Sequence, residues 1–245
     1  MPFTFAHPAI ILPLKHLPKR WNSITGLIIG SMTPDFEYFL RMRVKSIYSH
    51  SVAGLFYFDL PLGLLLTFIY LFVVKDKLID HLPIQLNSRF LAYKKKPFKI
   101  SLATVFIIGL SVIAGAASHI LWDSFTHSSG YFVRLFPFFS VVVAKLGQQP
   151  IYCYTLLQHG STLAGLAFIG YTIWGLPKSA VTSAGNVFKY WLIIFLTSVF
   201  TIIARLSFKS HDSYLFGNLL VTAIAGGLIG LVIASAFDSG LQKKL

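Results

Sequence analysis

Five apolar runs constrain this chain more than anything else in it: residues 53–74, 100–121, 152–174, 188–204 and 214–237. A helix rises about 1.5 Å per residue, so a run of roughly 20 residues crosses the ~30 Å hydrocarbon core of a bilayer. Backbone groups find no water there, which leaves helices or closed barrels as the spanning forms. Continuous apolar runs of this length, without strict alternation, specify helices. The charge content agrees: only 12% of the 245 residues are charged, against about 25% in soluble domains. A soluble enzyme and a disordered tail are thereby excluded. Cys153 is the one cysteine, so a disulfide scaffold and a multi-cysteine metal site are excluded as well. The N-terminus has no charged stretch followed by an apolar core and a small-residue cleavage site, and no cleaved signal peptide is expected.

Residues 22–33 (NSITGLIIGSMT) are apolar but would reach only about 18 Å as a helix, too short to span. The expected fold is all-α: a polytopic integral membrane helical bundle with about five transmembrane helices plus a short N-terminal re-entrant or interfacial helix. It reads as a single membrane domain over residues 1–245, with an N-terminal motif region at 1–52 and a transmembrane bundle at 53–237. The aromatic and aliphatic stretch 131–143 is expected to lie along the bilayer interface.

Lys and Arg number 21 against 8 acids, a net charge of +13, and the cations sit almost wholly between the apolar runs. That pattern implies membrane topology and attraction to lipids with anionic headgroups; no nucleic-acid module accompanies it, and no nucleic-acid partner is expected. Seven cations fall in the 75–99 connection: Lys75, Lys77, Arg89, Lys94, Lys95, Lys96 and Lys99. They favour a cytoplasmic connection. Six others lie in residues 1–52, however, and the two sides divide 11 to 10, so orientation stays open. Parity is firmer. Two spans separate residues 1–52 from residues 122–151, which places both regions on one face of the membrane.

That face collects the chemistry. His7, Asp35, Glu37 and His50 lie in the N-terminal region, His119 and Asp123 at the end of the second span, and His127 just beyond. His119 and Asp123 are four apart, and residues at i and i+4 stack on one helix face. Both side chains can therefore reach a single ion, and His127 continues the stripe at i+8. Imidazole with carboxylate suits zinc, manganese or iron, and ionisable groups at membrane depth are costly unless paired or functional. Met32-Thr-Pro-Asp-Phe-Glu37 fits a capped helix start, with Pro34 at the first position and acids in the first turn. Such a start also presents Asp35 to an ion. His7 and His50, taken singly, read as interfacial side chains and gain weight only from their company. Asp59, nine residues after His50, is half a turn out of phase with it on a continuous helix. It reads as a buried polar contact near Pro61. Gln158 and His159 read as interhelical hydrogen-bond partners. His16, His81 and His211 sit among loop charges and require no role.

Taken together, MPFTFAHP, GLIIGSMTPDFEYF, SHSVAGLFYFDLPLG, GAASHILWDSFTH and LLQHGSTLAG resemble the bacterial membrane proteins grouped as domain of unknown function 4184, over roughly residues 1–165. That group is distantly similar to the inner-membrane metal-dependent hydrolases, whose pattern of early His, G-x-x-x-P-D, H-S and late H-x-x-x-D matches His7, Asp35, His50, His119 and Asp123 here. The order of His and Asp is also similar to that of zinc-dependent phospholipase C. Glu37 stands where the pattern would have a second Asp. The resemblance implies a multi-pass protein of the bacterial inner (cytoplasmic) membrane. It also implies a divalent metal ion, zinc before manganese or iron, held by those five residues.

The expected function is a membrane-embedded metal-dependent hydrolase of phosphoesters or lipids at the bilayer interface. The ion would activate water and polarise the substrate oxygen, Glu37 or His127 would act as catalytic base or acid, and Arg41, Arg43 and Lys45 would neutralise phosphate. A second class fits the same residues: a transporter, or an assembly or scaffold protein, in which the His/Asp groups form an ion path or structural contacts. Transport is disfavoured, because no inverted repeat is visible and the polar groups gather at one end of the spans.

Overall fold

A computed structural model describes residues 3–18, 21–94, 100–180, 186–208 and 214–238. Three-quarters of the described residues are helical. Six helices organise the chain: α1 (Ile24–Gly30), α2 (Leu55–Asp80), α3 (Leu102–Thr126), α4 (Cys153–Trp174), α5 (Val187–Ser207) and α6 (Leu215–Phe237). Among the described residues, four stretches are long and apolar enough to cross a membrane: Leu55–Asp80, Leu102–Leu135, Val187–Ser207 and Leu215–Phe237. The expected third span, α4, forms over 22 residues but is not among those four. Its first half carries Gln158, His159, Ser161 and Thr162, which lower its apolarity.

The expectation of helices alone meets one exception. Strands β1 (Val142–Leu146) and β2 (Gln149–Tyr152) pair antiparallel as a hairpin. The Val-rich run favours extended backbone, and Gly147, at φ +61°, supplies the left-handed residue of a two-residue turn. The stretch before it forms a short helix, Tyr131–Leu135, and a 3-10 turn, Pro137–Ser140.

The chain divides into two compact units, and the division falls inside α2. The first comprises Met1–Asp35, Ile47–Leu64 and Ile100–Trp174. Here α1 crosses α3 at backbone contact. A Cβ on Gly30 would overlap the backbone of Val112, and one on Gly115 would meet the backbone of Leu27, Gly30 and Ser31. Small residues at such crossings let helices in a membrane approach closely enough for dispersion to hold them. Ser23 caps α1 through the Gly26 amide, and its own amide donates to Ser111 Oγ at 2.8 Å. On α4, Ser161 Oγ accepts from Trp122 Nε1 at 3.0 Å and Thr162 Oγ1 from the Phe3 amide at 3.1 Å.

The second unit comprises Phe36–Ser46, Leu65–Lys99 and Gly175–Leu245. Gly226 and Gly230 of α6 lie against Ser198, Thr201 and Ile194 of α5, and Tyr190 and Ser235 hydroxyls meet at 2.7 Å. His81, expected to be a loop charge, is instead 3% exposed. Its ring stacks on Tyr190 at 4.3 Å, and its carbonyl accepts from Trp191 Nε1 at 2.8 Å. A loop position next to a helix end becomes interior once α5 packs over it. Lys95, Lys96, Lys99 and His211 lie outside the described residues.

Candidate metal centre

Four segments of the first unit deliver the cluster. His7 immediately precedes the short helix Pro8–Ile11, with Pro8 preset for its first turn. Asp35 ends the 3-10 turn Thr33–Asp35, His50 lies in the loop before α2, and His119 and Asp123 occupy the last two turns of α3. His7, Asp35 and His119 are fully buried and Asp123 is 7% exposed.

His119 Nε2 stands 3.5 Å from Asp35 Oδ1 and 3.4 Å from Asp123 Oδ2. His50 Nε2 stands 3.5 Å from Asp35 Oδ1 and 3.6 Å from Asp123 Oδ2. Asp35 Oδ1 and His119 Nε2, though buried, make no hydrogen bond. Ligand atoms about 2.0–2.1 Å from a tetrahedral zinc ion lie roughly 3.4 Å from one another. Four of the six separations among these atoms are close to that edge length, the spacing of ligands about one ion and not of hydrogen-bond partners.

The surrounding contacts aim these donors. His119 Nδ1 donates to the Ser31 carbonyl at 2.8 Å, which fixes the tautomer and leaves the Nε2 lone pair facing the carboxylates. The His50 Nδ1 lies 2.9 Å from Ser49 Oγ. Thr4 Oγ1 donates to Asp35 Oδ2 at 2.5 Å, holding the carboxylate so that Oδ1 turns inward. Burial opposes ionisation of Asp35, but the neighbouring His119 and His50 outweigh it and hold its carboxyl below the usual range. Burial, reinforced by His119, drives His7 down to about 3. Burial also lowers His50, but Asp123 and Asp35 outweigh it and raise its pKa. An ionised Asp35 and a neutral His7 are the forms that bind metal.

All five expected ligands converge. Donor atoms of Asp35, His50 and His119 lie within 4.8 Å of one another, as do those of His7, His119 and Asp123. His7 Nε2 stands 3.6 Å from Asp123 Oδ1, and its ring stacks on His119 at 3.7 Å. His127 caps α3, with Nδ1 3.0 Å from the Asp123 carbonyl and 3.7 Å from Asp123 Oδ1. Glu37 does not join them. It lies in the second unit, 2% exposed, where Oε1 accepts from Arg41 Nε at 2.8 Å and Oε2 from Ser46 Oγ at 3.1 Å. Asp59 is buried at the start of α2, while His159 is exposed on α4. Thr4 and the Ser31 carbonyl were not legible beforehand. A backbone oxygen has no sequence signature, and a threonine three residues before a histidine is too common to be one.

The fold defines a polytopic helical membrane protein, and its interior carries a cluster of His and Asp side chains close enough together to hold an ion. The chain belongs to the family described as domain of unknown function (DUF4184), which matches it over residues 1–236. No curated protein and no solved structure matches it.

Proposed function

We propose that this protein is a metal-dependent phosphoester hydrolase of the bacterial inner membrane. The observation that carries the reading is the set of four convergent donors, Asp35 Oδ1, His50 Nε2, His119 Nε2 and Asp123 Oδ2, at 3.4–3.6 Å. Two imidazoles and two carboxylates suit zinc, with manganese and iron next. A bound divalent ion supplies Lewis acidity and brings the pKa of a water toward about 7. His127 is the residue placed to move protons. Its Nε2 is buried without a hydrogen-bond partner, whereas Glu37 is engaged by Arg41. Arg41, in turn, is less available to a phosphate than the sequence suggests.

A lipid substrate is supported by an open apolar surface depression beside the cluster, lined by Ile10, Leu121, Trp122, Phe125, Phe139 and Leu157 among others. Its wall is apolar. Trp122 joins the two features, lining the depression while its ring lies 5.3 Å from that of His7. An acyl chain lying in the depression would have Trp122 between it and the cluster.

The test is metal content of the detergent-purified protein by mass spectrometry, beside phosphate release from phosphatidic acid in mixed micelles. Stoichiometric metal and turnover, both lost in Asp123→Asn, are expected. Protein that stays metal-free after reconstitution with zinc and manganese would sink the reading.

A further inference from the structure

The four donors just described do not exhaust the cluster. An ion among them would be ligated by four protein atoms, and a four-ligand tetrahedral site is closed: catalytic zinc sites hold three protein ligands and keep a position for water or substrate. Two buried groups remain unused. Asp123 Oδ1, the oxygen turned away from the first ion, makes no hydrogen bond, and neither nitrogen of His7 makes one. An imidazole carries one N–H and one lone pair, and leaving both unmet in the interior is costly unless something binds there.

We propose that the cluster holds two divalent ions bridged by the Asp123 carboxylate, a proposal that rests on the metal-centre reading above. The first ion takes Oδ2 of Asp123 with Asp35, His50 and His119. The second takes Oδ1 with His7, whose Nε2 stands 3.6 Å from it. His119 cannot be the bridge, because its Nδ1 is committed to the Ser31 carbonyl and Nε2 has a single lone pair. A carboxylate has two oxygens and can bridge. His127 flanks the second position, with Nδ1 3.7 Å from the same Oδ1 and Nε2 buried and unpartnered.

The two positions differ in kind. The first is saturated by protein and so is tight. The second has two ligands at coordination spacing, and the Nδ1 of His127 is committed to the Asp123 carbonyl, which leaves room for a water and a phosphoester oxygen with His127 beside them to move a proton. Charge points the same way. Two divalent ions against the two carboxylates leave an excess of positive charge, which fits an anionic phosphate and not a neutral ester. The open ion lies on the His7 side, and the Trp122 ring, 5.3 Å from that of His7, also lines the apolar depression.

The experiment is a zinc titration of the full chain in detergent, read by metal content, with Mn²⁺ loading read by electron paramagnetic resonance. Wild type should bind two ions per chain, and loaded Mn²⁺ should show the exchange coupling of a pair about 3.5–4 Å apart. His7→Ala should weaken the second ion at least about 100-fold while retaining the first, leaving the spectrum of isolated Mn²⁺. Retention of the first ion shows that the variant is folded. Saturation of wild type at one ion, unchanged by His7→Ala, overturns the second position and leaves the metal centre standing. Wild type that binds none overturns both. Loss of both ions together in His7→Ala and in the near-isosteric His7→Gln also overturns the proposal, since separate positions must empty separately.

Discussion

Replacing Gly115 by alanine tests whether the α1–α3 crossing is what sets the geometry of the candidate metal centre. A Cβ there would stand 2.6 Å from the Ser31 amide nitrogen and 2.9 Å from the Gly30 carbonyl carbon, and closer still to the Leu27 carbonyl oxygen. Ordinary contact begins near 3.4 Å, and all three obstacles are backbone, so no rotamer change relieves the overlap. The helices must separate by about 1 Å. Overpacking of this kind costs about 1–3 kcal/mol, offset by up to about 1 kcal/mol from the better helix propensity of alanine. The net loss of about 1–2 kcal/mol corresponds to a fall in Tm of roughly 2–8 °C for a chain of this size. Gly170 on α4 is the control. A Cβ there meets nothing within 4 Å, so Gly170→Ala should be neutral or stabilise by up to about 1 kcal/mol. A functional readout accompanies the stability one. His119 lies one turn beyond Gly115, and its Nδ1 bonds to Ser31 at 2.8 Å. Displacing Ser31 by about 1 Å breaks that bond, and loss of such an orienting contact lowers metal affinity about 10–100-fold. Intrinsic tryptophan fluorescence on heating and calorimetric zinc titration measure the two effects. A Gly115→Ala protein with unchanged Tm and zinc affinity within about twofold would refute the reasoning.

Thr4→Val removes the hydroxyl that turns Asp35 inward and should weaken zinc binding about 10–100-fold, with Thr4→Ser restoring it; equal affinities for all three by calorimetry would show the contact to be incidental. Glu37→Gln should leave metal content intact but destabilise the protein by about 1–3 kcal/mol. It removes the charge opposite Arg41, whose side chain is 32% exposed and so partly compensated by solvent. Loss of metal from a Glu37→Gln protein of unchanged Tm would show that Glu37 supports the metal site after all.

Much of the candidate site was legible in the sequence because its key pair is local. His119 and Asp123 share a helix face by periodicity alone, and span parity sent His7, Asp35 and His50 to the same side of the membrane. Glu37 shows the limit of this reasoning. It is two residues from Asp35, and nearness in sequence makes it a candidate acid or base at the site. Arg41, four residues on, claims its carboxylate instead. His81 failed in the opposite direction, since its burial depends on Tyr190 and Trp191, more than a hundred residues away. The hairpin at Val142–Tyr152 was missed because its valines were counted as apolar area; the positive φ of Gly147 belongs to a turn whose partner strand the hydropathy pattern does not reveal.

Apolar run length by itself determined the class of this protein, because the thickness of a bilayer and the rise of a helix leave little choice. Residue type and spacing determined which side chains could bind an ion. The tertiary structure decided which of them do converge, and which atoms they present. Ligand geometry is a matter of ångströms and hydrogen-bond direction. It is set by Thr4, by the Ser31 carbonyl and by two glycines that let helices touch, none of which carries a chemical signature until the chain has folded.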